Sequence, residues 1–178
     1  MHVADTDSPP DPGSTFGPAG RFLLALTKNL AIAGGLVFVG LVVMSILSIV
    51  GRKLFSWAVP GDLELLQMCA AFAASAFFAY CHLVHGDVRV DFFTDHMAPR
   101  KVAAMDAFAS FLVGTFGALI AWRTAAGAVS LKEVGETSAI LAFPVWIAQA
   151  LMVPGFALLA VAGFYLCLHH LRMARHPA

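Results

Sequence analysis

The chain has 178 residues and no net charge at neutral pH, with 60% hydrophobic and 12% charged residues, and its mean hydropathy is +0.81. Soluble domains are about 45–50% apolar and about 25% charged, so this composition excludes an ordinary soluble enzyme domain. Zero net charge gives no electrostatic support to a nucleic-acid partner. The three cysteines, Cys69, Cys81 and Cys167, lie in or at the ends of apolar stretches and form no CxxC. That argues against a disulfide framework or a zinc site and for small core-filling side chains.

In chain order, Asp5 to Gly20 is rich in Pro, Asp, Ser and Gly, a composition that builds no core, so residues 1–28 are expected to form a disordered cytoplasmic tail. No basic n-region opens the chain, and the first apolar block is long and lies well inside it. It is therefore expected to act as an uncleaved anchor rather than a signal peptide.

Four apolar blocks follow. Each is close to the roughly 20 residues that a helix needs to cross a 30 Å hydrocarbon core. The first, Asn29 to Gly51, is free of charge and bracketed by Lys28 and Arg52. A short turn with Trp57 and Pro60 leads to the second, Leu63 to Val84, with Glu64 at its edge. Asp87 to Met97 then reads as an amphipathic interfacial helix. In it Val88, Phe92, Phe93 and Met97 share one side, and Asp87, Asp91 and Asp95 stack opposite. Pro99 ends it. The third block, Val102 to Ala126, carries Asp106 and Arg123 near its ends, where such side chains snorkel. A connection holding Lys132, Glu133 and Glu136 leads to the fourth, Phe143 to Leu168. Pro144 suits its first turn, and Pro154 inside it predicts a kink or a packing break. The expected architecture is an all-α integral membrane protein. It has a four-helix membrane domain over residues 29–172, a short interfacial helix between spans two and three, and a tail at 173–178.

Basic residues set the orientation. With the N-terminus inside, seven Lys and Arg (Arg21, Lys28, Arg89, Arg100, Lys101, Arg172, Arg175) fall on the cytoplasmic side and four (Arg52, Lys53, Arg123, Lys132) on the other. Both termini are thus expected in the cytoplasm. Arg52 and Lys53 run against the trend and ask for a local explanation.

The chain offers little for chemistry. No GxSxG, HExxH, Walker or GxGxxG pattern is present, and the spans lack the midplane ionisable groups and the repeated halves usual in carriers. Neither catalysis nor transport by this chain alone is expected. Two constellations remain. His82 and His85 close span two, and His169 and His170 close span four. A haem held between His82 and a span-four histidine would make the chain a haem- or quinone-carrying membrane anchor of a respiratory enzyme. Polar interfacial histidines are the simpler reading. Arg52 and Glu64 each sit at the outer end of a span, with a short turn between the spans, and would form a shielded ion pair, against the alternative of two solvated flanking charges. Gly34, Gly35, Ala70, Ala71, Ala73, Ala74, Gly114 and Gly117 supply close-approach surfaces, either for a partner or for the chain's own bundle.

Several segments together resemble the small membrane subunit of tripartite ATP-independent periplasmic (TRAP) transporters, the DctQ-like family. The first is Ile49-Val50-Gly51-Arg52-Lys53 followed by Pro60-Gly61-Asp62-Leu63-Glu64-Leu65. The second is Gly86-Asp87-Val88-Arg89-Val90-Asp91-Phe92-Phe93. The third runs from Thr137-Ser138 through Phe143-Pro144-Val145-Trp146 to Val153-Pro154-Gly155. The likeness covers about Leu30 to Arg172. Family members often carry His where Asp87 stands and Trp where Gly61 stands.

The resemblance implies a non-catalytic subunit with no cofactor of its own, in the bacterial inner membrane. Its partners would be a large multi-span permease subunit, which holds the substrate and sodium sites, and a periplasmic binding protein that delivers an organic acid. Membrane lipids surround it. Arg52, Glu64, Asp87, Asp91, Pro144, Trp146 and Pro154 are then structural or interface candidates.

Overall fold

The computed structural model describes residues 17–57, 59–84, 86 and 99–175. They form four helices, α1 (Pro18–Phe55), α2 (Asp62–Leu83), α3 (Pro99–Val134) and α4 (Val145–Arg175). All four are long and apolar enough to cross a membrane. The expected helix between spans two and three falls at Asp87 to Met97, outside the described residues.

α1 begins at Pro18, eleven residues before the expected start and inside the stretch read as tail. A proline suits the first helical turn, where its missing N–H leaves no bond unmade. The extension is held by packing. Gly20, Thr27, Gly34, Leu41 and Ser48 recur at every seventh residue, and all are buried. That period keeps one seam of a helix turned toward one partner. Leu23 joins Leu83, Ala162 and Leu166 in a buried apolar cluster where α1 begins and α2 and α4 end. The Thr27 hydroxyl donates to the Leu23 and Leu24 carbonyls at 3.0 and 3.1 Å, so this buried polar group is satisfied within its own helix. α3 and α4 also outrun the apolar blocks that announced them, and α4 continues through Pro154 without interruption.

The helices stand in a row rather than a closed ring. α1 packs on α2, α2 on α4, and α4 most extensively on α3. Among the described residues α3 touches neither α1 nor α2, and α1 meets α4 only marginally. Each contact is made through small residues. A Cβ added at Gly34 would lie 2.8 Å from the Ala76 Cβ and 3.2 Å from the Ala73 carbonyl oxygen. At Gly155, next to Pro154, it would lie 2.6 Å from the Ser75 carbonyl oxygen. At Gly163 it would lie 2.5 Å from the Gly114 nitrogen, and at Gly117 2.9 Å from the Ala160 nitrogen. Backbone therefore meets backbone at each crossing, the geometry that small residues permit. Gly34, Ala73, Gly114 and Gly117 thus serve the chain's own packing. Ala74 is exposed.

The size pattern is the reverse of a soluble core. The buried apolar residues are mostly alanines, while Leu36, Phe22, Phe108, Phe116 and Trp122 point outward, with Trp122 74% exposed. Large apolar side chains on the outside suit a lipid environment, where they lose nothing by exposure.

Gly163→Leu therefore forces α3 and α4 apart. It should destabilise the purified chain by more than the roughly 1–3 kcal/mol typical of an overpacked core, read as a lowered thermal midpoint. Gly40 has open space around it, so Gly40→Ala should be neutral or gain up to about 1 kcal/mol from helix propensity. Equal effects at the two sites would refute the close crossing.

Candidate functional site: a polar rim

The end of α1, the start of α2 and the α3–α4 connection meet at one end of the row, where Asp62 and Glu64 tie the elements together. The rim begins at Ser56, which closes α1 in the left-handed region with φ 49°, and the Trp57 N–H then donates to the Gly51 carbonyl at 3.1 Å. The chain turns at Gly61, whose φ of +73° favours glycine. The same glycine is covered by Leu141 of the α3–α4 connection. A Cβ there would lie 2.5 Å from the Leu141 Cγ.

Asp62, the first residue of α2, ties it to α1. Its Oδ2 accepts from the Ser48 hydroxyl at 2.6 Å and from the Arg52 guanidinium at 3.0 Å, and its Oδ1 accepts from the Leu63 N–H at 2.9 Å. Glu64 ties α2 to the connection on its other side. Its two oxygens accept from the Ile140 and Leu141 N–H groups at 2.9 and 3.1 Å. The connection is itself a small hairpin. Thr137 bridges Pro144, Ser138 N–H donates to the Phe143 carbonyl, and Val145 N–H to the Glu136 carbonyl. Lys132 at the end of α3 lies 5.2 Å over the ring of Trp146 in the first turn of α4, a cation–π contact that closes the hairpin's base.

The expected Arg52–Glu64 pair is not formed. Arg52 pairs with Asp62, and Glu64 holds the connection instead. Helical geometry explains why. Positions 62 and 64 are about 200° apart around α2, so one helix cannot aim both at α1. Asp62 lies three turns before Ala73, on the stripe that meets Gly34 of α1. Glu64 lies three turns before Ser75, on the stripe that meets Gly155 of α4. Pro144 stands just before α4 rather than within its first turn, with its carbonyl accepting from the Ile147 N–H at 3.2 Å. Trp146 joins the rim, and Pro154 lies deep in α4 beside the crossing with α2. Asp87 and Asp91 are outside the described residues. Sequence reasoning quoted Asp62 but gave it no role, and it passed over Ser48. The usable signal was their spacing, since Ser48 and Arg52 are four residues apart and share a face of α1.

The histidines lie at the opposite end. His82 and His170 are both buried, and the His169 and His170 rings meet edge to face at 6.0 Å. His85 is outside the described residues. Among the described residues no three His, Cys, Asp or Glu side chains gather as a metal site would need.

A row of four membrane-length helices with small residues inside, large apolar ones outside and polar ties at one rim defines a multi-pass membrane protein. The family described as "Tripartite ATP-independent periplasmic transporters, DctQ component" matches residues 41–173, well over half of the chain, and the chain belongs to it. That family is a transporter component and not an enzyme family, and membership does not favour the respiratory-anchor reading. No curated protein and no solved structure matches the chain.

In a double-mutant cycle, Arg52→Gln and Asp62→Asn should be less than additive in the stability of the purified protein. Arg52→Gln and Glu64→Gln should add. Coupling in the second cycle and additivity in the first would reverse the assignment.

Proposed function

We propose that the chain is the small, scaffolding membrane subunit of a TRAP-type transporter, supporting ion-coupled uptake of an organic acid by a large permease subunit that a periplasmic binding protein supplies. Family membership supports this reading, and the observation that carries it is the open row. Four helices that bury chiefly small residues against one another leave broad faces of large apolar side chains for a second membrane protein. The polar ties of the rim hold that row in one arrangement, as a fixed frame requires. The apolar spans also suit a frame more than a substrate path, which needs polar or broken-helix groups at the midplane.

In this reading the rim faces the periplasm and both termini face the cytoplasm, in keeping with the basic residues. Ile140 stands at the hairpin tip and is 65% exposed. With the three native cysteines replaced, Ile140→Cys should react with a membrane-impermeant thiol reagent in intact cells, and Ser8→Cys should not. The reverse labelling would invert the topology. Removing the chain from cells that keep the permease and the binding protein should abolish uptake, and undiminished uptake would overturn the scaffold role. A Soret band in the purified chain, lost in His82→Ala, would restore the haem alternative.

A further inference from the structure

We propose that the α1–α2 groove beneath Arg52 and Asp62 is a binding site for one phospholipid whose headgroup carries both a phosphate and a primary ammonium. A trough of about 220 Å³ runs down this side of the rim, lined by Ser45, Ile49, Leu63 and Leu66, with Arg52 and Asp62 among its lining residues. From Ser45 to Arg52 it follows two turns of α1, about 10 Å. Its walls are outward-facing apolar side chains, with Ile49 60% and Leu63 66% exposed. At this depth, in a helix that crosses the bilayer, the occupant of an open apolar trough is an acyl chain.

The mouth of the trough selects the headgroup. The Arg52 side chain is 61% exposed although it is bonded to Asp62. That bond engages one N–H of a group that carries five, so the outward donors are available to a phosphate, for which a guanidinium is well shaped. Lys53 is exposed on the next residue. Asp62 stands at the same mouth, 21% exposed. Its Oδ2 accepts from Ser48 and Arg52, and its Oδ1 accepts from the Leu63 N–H. The carboxylate is still partly exposed at the mouth, where its charge attracts an ammonium that can donate to it. A cation and a carboxylate fixed side by side complement a headgroup with the opposite pair of charges. A purely anionic headgroup would meet the carboxylate as a repulsion, and a quaternary ammonium would offer it no N–H. The site also gives a local reason for two basic residues on the side where the orientation rule disfavours them.

The test uses the full-length chain, delipidated in mild detergent and titrated with phosphatidylethanolamine, phosphatidylcholine or phosphatidylglycerol in mixed micelles. Bound lipid is counted by native mass spectrometry, and inorganic phosphate is run separately. Phosphatidylethanolamine should bind about tenfold more tightly than the other two lipids, and inorganic phosphate should not compete at millimolar concentration. Arg52→Gln should lose that preference. Since this change also breaks the tie to Asp62, Leu66→Trp provides the second variant. It fills the trough, leaves both charges in place and should lower lipid occupancy by a similar factor. Equal binding of the three lipids, a preference for phosphatidylglycerol, competition by phosphate, or full phosphatidylethanolamine occupancy in Leu66→Trp would each overturn the proposal.

Discussion

Helices in a bilayer gain little by hiding apolar side chains from one another, because lipid is as apolar as they are. What remains is close contact of backbone with backbone and the satisfaction of polar groups. The three main helix pairings, α1–α2, α2–α4 and α3–α4, obey that constraint. Gly34 meets Ala73 and Ala76, Gly155 meets Ser75, and Gly163 meets Gly114, each at a separation that leaves no room for a side chain. Three buried hydroxyls follow the same rule. Thr27 bonds its own helix, Ser75 donates to the Phe72 carbonyl at 2.7 Å, and Ser48 donates to Asp62.

The row follows from where those small residues lie. α2 and α4 each carry two small-residue stripes and accept a neighbour on each side. α1 and α3 each use one and become the ends. A closed ring would need α1 and α3 to meet, and among the described residues no such contact joins them. The arrangement leaves wide lipid- or partner-facing surfaces, which a component of a larger membrane assembly can use and a self-contained carrier has less reason to keep.

The rim supplies what shape packing lacks, which is a fixed register. Asp62 and Glu64, two residues apart, hold opposite neighbours. One grips the end of α1 through Ser48 and Arg52, and the other grips the backbone of the α3–α4 connection. Both helix pairs are thus referred to the first turn of α2. Gly61 completes the joint, because its positive φ sets the turn and its bare Cα admits Leu141. At the other end a compact apolar cluster around Leu83 and Leu166 joins α1, α2 and α4.

Much of this was legible in the amino-acid order. Charge-poor blocks of spanning length require membrane helices, because unpaired backbone groups are not tolerated in hydrocarbon. The segments around Arg52, Glu64 and Pro144 resembled one family closely enough to indicate it. The small residues announced close packing but not between which helices. The charge-free block after Lys28 set the expected start of the first span, whereas the helix itself begins at Pro18, and Leu23, Thr27 and Ala31 already carry its buried stripe. The pairing of Arg52 was misassigned for a related reason. Sequence distance made Asp62 and Glu64 nearly equivalent partners, and only the packing of α2 between α1 and α4 decided which faced which. Local order determines that a helix forms and where its polar residues stand around it. Which of those residues meet depends on the rotation of each helix against its neighbours, and that rotation is set by contacts between residues far apart in the chain.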